Sequence, residues 1–214
     1  MLLVVHRTPS TAAQCDRLAA AGASVFELDV QVAHERLVVS HFLPVLRRPG
    51  WLENDNWRFR WSAGLDQDPA VSDAVARIPQ SCSVLLDLKE TAPHRRAELN
   101  RRIAHELTDR DRFVVSSAET DDLDDLRAAG FRTWRTIGDR RSLRAVLAGG
   151  PLADAAVTVR HRLLDRSTME RLHAVAPAVV AWTVNSVGRA HELRAQGVDG
   201  ITTDSSSVLV RARP

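Results

Sequence analysis

Short apolar runs rich in β-branched residues alternate along the chain with segments whose apolar residues recur at helical spacing. The runs lie at residues 2–6, 24–30, 37–41, 84–89, 113–116, 131–136, 155–159, 179–184 and 200–203. Helix-period segments lie between most of them, at residues 11–21, 71–78, 95–107, 121–129, 140–147, 167–175 and 187–195. This alternation predicts parallel strands that are joined by crossover helices.

Eight main strand-and-helix units in 214 residues predict an α/β fold of one domain, a closed (β/α)8 TIM barrel over residues 1–214. An open doubly wound sheet is the alternative, but no glycine-rich phosphate loop follows the first run. A loop and helix insertion is expected at about residues 42–82. It holds Trp51, Trp57 and Trp61, three of the five tryptophans, which either form a lid or pocket or simply pack the loop onto the barrel.

The run at residues 24–30 carries two acidic side chains. Because successive side chains of a strand point to opposite faces, Glu27 and Asp29 share one face with Val25. Two carboxylates on one face of a buried strand are costly unless a cation or a basic partner lies beside them. The pattern therefore indicates either a bound cation or a charge network.

Further polar residues follow other predicted strands at their carboxyl ends, where a barrel places its chemistry. They are His6, Arg7, His41, Asp87, Lys89 and Trp182. Lys89 is the only lysine of the chain, which suggests a need for a compact ammonium group. Asp204 follows the last strand, and we expect it to cap the next helix. The other histidines, including His161, are expected on the surface or on helices.

Composition excludes several classes of protein. The net charge is +2, and arginines are dispersed among acidic residues, so we expect no nucleic-acid partner. No apolar stretch is long enough for a membrane span, and no leader pattern precedes the first strand, so a cytoplasmic location is expected. Cys15 and Cys82 are expected to be reduced core thiols.

Six motifs, in this order, resemble the glycerophosphodiester phosphodiesterase family. They are residues 6–7 (HR), 27–31 (ELDVQ), 38–41 (VVSH), 86–89 (LDLK), 182–185 (WTVN) and 197–204 (GVDGITTD). The resemblance implies a TIM barrel that hydrolyses glycerophosphodiesters to an alcohol and glycerol 3-phosphate with Mg²⁺ or Ca²⁺. It implies that Glu27, Asp29 and Asp87 hold the metal, that His6 and His41 are the acid/base pair, that Arg7 and Lys89 bind phosphate, and that Trp182 lines the substrate pocket.

The chain departs from the family pattern at a few positions. Thr8 stands where glycine is usual, residues 9–11 (PST) replace a Glu-Asn-Thr stretch, and Phe42 replaces an aspartate after His41. Asp87 replaces a glutamate, and its spacing to Lys89 is similar to that of sphingomyelinase D. Two alternative functions therefore stand beside the leading one: a lysophospholipase D or sphingomyelinase D-like activity on a lysolipid head group, and a weakened barrel that binds a phosphorylated metabolite.

The residues suit phosphodiester cleavage by their chemistry as well. Carboxylates are hard oxygen ligands for Mg²⁺ or Ca²⁺. Arginine and lysine can stabilise the charge on a phosphoryl group in the transition state. Histidine titrates near neutral pH, so two histidines can divide the proton transfers of a hydrolysis.

Overall fold

The computed structural model describes residues 1–33, 35–40, 51–55, 58–62, 68–89 and 93–212. The strands in these residues are β1 (Leu2–Val5), β2 (Val25–Ala33), β3 (Arg36–Val39), β4 (Trp51–Asp55), β5 (Arg58–Ser62), β6 (Ser83–Leu88), β7 (Phe113–Ser117), β8 (Arg132–Ile137), β9 (Ala156–Arg160), β10 (Val179–Trp182) and β11 (Gly200–Thr203). The α-helices are α1 (Ala12–Ala20), α2 (Val71–Val75), α3 (Pro93–Glu106), α4 (Thr120–Ala128), α5 (Arg140–Ala148), α6 (Arg166–His173), α7 (Val187–Ala195) and α8 (Ser206–Arg211).

Eight of the described strands form a closed parallel ring in the order β1, β2, β6, β7, β8, β9, β10, β11, and β11 pairs with β1. A helix separates each strand of the ring from the next. The predicted (β/α)8 TIM barrel is therefore confirmed. β3 pairs with β2 in antiparallel orientation and extends the ring at one place.

The expected insertion at about residues 42–82 is described only in part. β4 and β5 pair with each other as a separate antiparallel hairpin, and α2 follows them. Residues 41–50, 56–57 and 63–67 lie outside the described residues, so the bounds of the insertion stay a prediction.

Alternation along the strands sorts side chains into two apolar layers. The inner layer fills the lower part of the ring and consists of Val4, Val25, Leu85, Val114, Trp134, Ala156 and Val180. The outer layer lies between the strands and the helices and includes Phe26, Leu28 and Leu86, which are fully buried. Since Val25 belongs to the inner layer, Glu27 and Asp29 lie above it on the inner face, as predicted.

Side-chain caps fix where several helices begin. Thr11, Asp139, Asp165 and Ser186 each accept a backbone N–H of the first turn of α1, α5, α6 and α7. Among the described residues, no helix has the length and apolar character that a bilayer crossing requires.

Candidate active site

A cavity of about 650 Å³ opens at the carboxyl ends of the barrel strands. This is within the range of about 300–1,000 Å³ that is typical of small-molecule sites. Six of the residues that were predicted from sequence line it or lie at its floor in one group: His6, Arg7, Glu27, Asp87, Lys89 and Trp182. The apolar inner layer closes the barrel below, so the cavity has one open side.

Three carboxylates form the acidic part of the site. Glu27 and Asp29 on β2 are 6% and 3% exposed, and Asp87 lies on β6 directly beside Asp29 in the sheet register. One oxygen of each carboxylate lies within 4.8 Å of one oxygen of the others. The Ser116 hydroxyl on β7 donates a hydrogen bond of 2.8 Å to Asp87 Oδ1 and so orients it.

This donor set fits a divalent cation. Hard carboxylate oxygens are what Mg²⁺ and Ca²⁺ prefer, and three of them leave further coordination positions for substrate and water. Burial and the neighbouring Asp29 charge raise the pKa of Glu27 to about 8. The protein's own charges therefore do not suffice to keep all three carboxylates ionised, which is the situation that a bound cation relieves.

Cationic groups border the carboxylates on two sides. Lys89 Nζ lies 3.0 Å from Asp29 Oδ1 and also contacts Asp87 Oδ2. Arg7 Nε lies 3.9 Å from Asp29 Oδ2. Burial opposes the charge on Lys89, but Asp87 and Asp29 outweigh it and raise the pKa of its ammonium. These contacts form the charge network that was predicted from sequence as the alternative to a metal. They do not provide Glu27 with a full counter-charge.

The loop after β1 reaches Glu27 through its backbone. Arg7 has a φ of 58°, in the left-handed region that side chains other than glycine seldom adopt, and its N–H donates a 3.0 Å hydrogen bond to Glu27 Oε2. The hydroxyl and the amide of Thr8 both donate to the Glu27 carbonyl, at 2.8 and 2.9 Å. Thr8 is therefore built into the loop, although the family usually has glycine there.

His6 is held between two acids. Its Nδ1 lies 2.6 Å from Asp204 Oδ1, and its Nε2 lies 3.6 Å from Glu27 Oε2. Burial favours the neutral imidazole, but the hydrogen bond to Asp204 and the charge of Glu27 outweigh it and raise the pKa of His6 above its ordinary 6.5. Because Nδ1 is engaged, Nε2 is the nitrogen that can exchange a proton within the cavity.

Asp204 does not cap the following helix, so that expectation is wrong. Ser205 is the N-cap residue of α8 and makes no side-chain cap bond. Asn185 instead donates 2.8 Å to Asp204 Oδ2, and Asn185 Oδ1 accepts from the Asp204 amide at 2.9 Å and from the Thr203 hydroxyl at 3.1 Å. Asp204 and Asn185 thus orient His6. The motifs WTVN and GVDGITTD include these two residues, but the sequence alone did not indicate this role.

Trp182 lies at the end of β10, half-buried in the cavity wall, where its ring approaches Gly138. Beside Trp182, on the wall formed by the end of β9, lie Arg160, His161 and Arg162, which sequence reasoning missed. His161 had been expected on the surface or on a helix; it lies in the 3-10 turn His161–Leu163 and is half-buried. Polar residues in a turn have no periodicity, so the sequence carried little signal for them.

His41 and Phe42 lie outside the described residues, as does Trp57. The predicted acid/base role of His41 and the predicted lid therefore stay predictions.

We expect the pKa of His6 to lie above 6.5 and to fall when Asp204→Asn removes the carboxylate that stabilises the imidazolium. Titration of the imidazole resonances by NMR measures both. His161 is an internal contrast, because burial and the nearby Arg189, Arg162 and Arg160 charges lower its pKa below 6.5. An unchanged His6 pKa in Asp204→Asn would contradict the orienting role of Asp204.

In metal-free solution, the free energy of unfolding should decrease as the pH rises from the ordinary glutamate value of 4.5 to about 8. The folded protein keeps the Glu27 proton to higher pH than the unfolded chain, so loss of that proton favours unfolding in this window. His6 acts in the same direction, since its raised pKa stabilises the fold only while it is protonated.

Urea unfolding in EDTA at several pH values measures this slope, and Glu27→Gln is the matched control that should flatten it. Ca²⁺ or Mg²⁺ should restore stability at the upper end of the window in the wild type. Equal slopes for the wild type and Glu27→Gln would show that the Glu27 pKa is not raised.

Comparison with known proteins identifies a family for the chain. The model of the glycerophosphoryl diester phosphodiesterase family matches residues 83–208, more than half of the chain. No curated protein sequence matches the chain.

Solved structures share the fold at low identity. A glycerophosphodiester phosphodiesterase from Thermotoga maritima is 17% identical with a TM-score of 0.73, and the match covers 100% of this chain and 98% of that one. An Oleispira antarctica phosphodiesterase in complex with the product sn-glycerol-3-phosphate is 17% identical with a TM-score of 0.70, over 97% and 95% of the two chains. A glycerophosphodiester phosphodiesterase from Parabacteroides distasonis is also 17% identical, with a TM-score of 0.70 over 97% and 94%.

The barrel and the family match together confirm the resemblance seen in the sequence. The chain belongs to the glycerophosphoryl diester phosphodiesterase family and is a phosphoric diester hydrolase.

Proposed function

We propose that the protein hydrolyses glycerophosphodiesters to glycerol 3-phosphate and an alcohol, with a divalent cation, Mg²⁺ or Ca²⁺, and histidine acid/base catalysis. The observation that carries this proposal is the group of three carboxylates within 4.8 Å of one another, next to His6 in an open cavity. Glu27, Asp29 and Asp87 would hold the cation, which when bound supplies positive charge to the phosphoryl oxygens and acidifies bound water.

Among the described residues, His6 is the one proposed to transfer a proton in the reaction. Its Nδ1 is held by Asp204, so a protonated His6 can donate the Nε2 proton to the alkoxide that leaves phosphorus. Hydrolysis also needs a base that accepts a proton from the attacking water, and the family resemblance gives that complementary transfer to His41. Asp204 is a positioning residue, since it acts through His6.

Arg7 and Lys89 are proposed to bind the phosphoryl group. Both lie at the edge of the carboxylate cluster, where a phosphate would bridge from the cation to the two side chains. Charge-assisted hydrogen bonds of this kind stabilise the additional negative charge of the transition state. The half-buried Trp182 would bound the substrate on the far side of His6.

The direct test is hydrolysis of glycerophosphoglycerol, whose alcohol is uncharged, in Mg²⁺, Ca²⁺ or EDTA, followed by loss of the diester signal in ³¹P NMR. We expect turnover only with a divalent cation. His6→Ala should lower kcat by about 100-fold or more, because it removes a general acid. His105→Ala, an exposed histidine on α3, is the matched control and should keep wild-type activity.

Full activity in EDTA or in His6→Ala would contradict the proposal. Glycerophosphocholine and a lysophosphatidylcholine extend the test. Cleavage of the lysolipid without cleavage of the deacylated diesters would favour the sphingomyelinase D-like activity, which the Asp87-x-Lys89 spacing suggests. Binding of diesters without turnover would favour the weakened barrel.

A further inference from the structure

The cavity wall that faces the carboxylates is cationic. Arg160 ends β9, and His161 and Arg162 follow it in a 3-10 turn at His161–Leu163. All three line the same cavity as Glu27 and Asp87. β9 lies four strands from β2 in either direction around the ring, so these side chains are diametrically across the barrel mouth from Glu27. We refer to Arg160, His161 and Arg162 as the cationic wall; its charge comes from the two arginines, because the lowered pKa of His161 favours the neutral imidazole.

The cationic wall lacks counter-charges. In the part of the chain that the structure describes, no carboxylate forms an ion pair with Arg160 or Arg162, and both side chains are exposed to the cavity. His161 Nδ1 is buried and has no hydrogen-bond partner among the described residues. By contrast, Arg127 and Arg135 both pair with the buried Asp154. Adjacent unpaired cations at the mouth of a cavity are a site for an anion.

The backbone that carries the cationic wall is fixed from behind. Arg189 on α7 donates hydrogen bonds to the carbonyls of His161 at 2.7 Å and Leu164 at 2.9 Å. These bonds support the turn from behind, while Arg160 and Arg162 line the cavity. A fixed turn lowers the ordering cost of ligand binding.

The positive surface continues away from the reaction centre. Arg162 also lines a second hollow of about 290 Å³, together with Arg140 and Arg144 of α5. The one acid of that hollow among the described residues, Asp165, is engaged as the N-cap of α6 and accepts from the Thr168 amide at 2.7 Å. The β9 side of the cavity therefore carries arginines from the cavity to the outer surface.

We propose that the cationic wall binds a second phosphate, carried by the alcohol moiety of the substrate. This inference rests on the proposed function and specifies its substrate class: a glycerophosphodiester whose alcohol is itself phosphorylated. With the scissile phosphate beside Glu27, Asp29 and Asp87, the alcohol extends across the cavity toward Arg160 and Arg162. Arginine suits this role because its guanidinium binds a phosphate through two parallel hydrogen bonds. A quaternary ammonium on the alcohol would be repelled by the same wall.

The test compares glycerophosphoglycerol with its terminally phosphorylated form, which differ only in the second phosphate. Loss of the diester signal in ³¹P NMR gives kcat/KM for each. The wild type should prefer the phosphorylated diester by about tenfold or more, in line with the strength of charged hydrogen bonds. In Arg160→Ala and in Arg162→Ala this preference, measured as the ratio of the two kcat/KM values, should fall to near one. Arg171→Ala, an exposed arginine of α6 outside both cavities, is the matched control.

Turnover of both diesters without a preference, or a preference that survives both substitutions, would overturn the inference and leave the proposed function intact. If neither diester is hydrolysed, the proposed function fails and binding decides the inference. Calorimetry in EDTA then compares the Kd of the two diesters for the wild type and for Arg162→Ala. Tighter binding of the phosphorylated diester that Arg162→Ala abolishes supports the cationic wall, and equal binding contradicts it.

Discussion

Two buried carboxylates, Glu27 and Asp29, and the partly buried Asp87 beside them crowd one side of the upper end of the closed barrel, and the rest of the site responds to this constraint. Strand alternation directs the side chains of Glu27 and Asp29 into the barrel, above Val25. The inner apolar layer excludes water from below, so repulsion among the acids is weakly screened. Burial and, after it, repulsion from Asp29 raise the pKa of Glu27.

The neighbouring groups lessen the repulsion without removing it. Lys89 lies against Asp29 and Asp87, and the loop after β1 turns the Arg7 amide toward Glu27 at the cost of a left-handed conformation. His6 approaches Glu27 from the other side and is itself held by Asp204. Glu27, Asp29 and Asp87 would hold a divalent cation, which would supply the positive charge that these neighbours leave lacking.

The sequence predicted the barrel and most of the carboxylate side of the site, because period-two alternation and strand-end motifs are local signals. The role of Asp204 was not predictable in this way, since its partner His6 lies 198 positions away and meets it only when β11 pairs with β1. Arg160 and His161 were missed for a related reason. Arg160 is the last residue of β9 and His161 begins the turn after it, and only closure of the ring places them opposite Glu27. Local patterns thus identify individual side chains with unusual chemistry. Contacts between residues that are far apart in the sequence can be predicted only when the topology of the barrel is known.

Calorimetric titration of the protein with Mg²⁺ and with Ca²⁺, after treatment with EDTA, tests the proposed cation site most directly. We expect the wild type to bind one cation per chain. Asp29→Asn should lose this binding, because the substitution keeps the shape of the side chain and removes its charge. Asp204→Asn is the control, because it removes an acid that lies beside His6 and outside the carboxylate cluster, and it should still bind one cation. Failure of the wild type to bind either cation, or undiminished binding by Asp29→Asn, would contradict the proposed cation site.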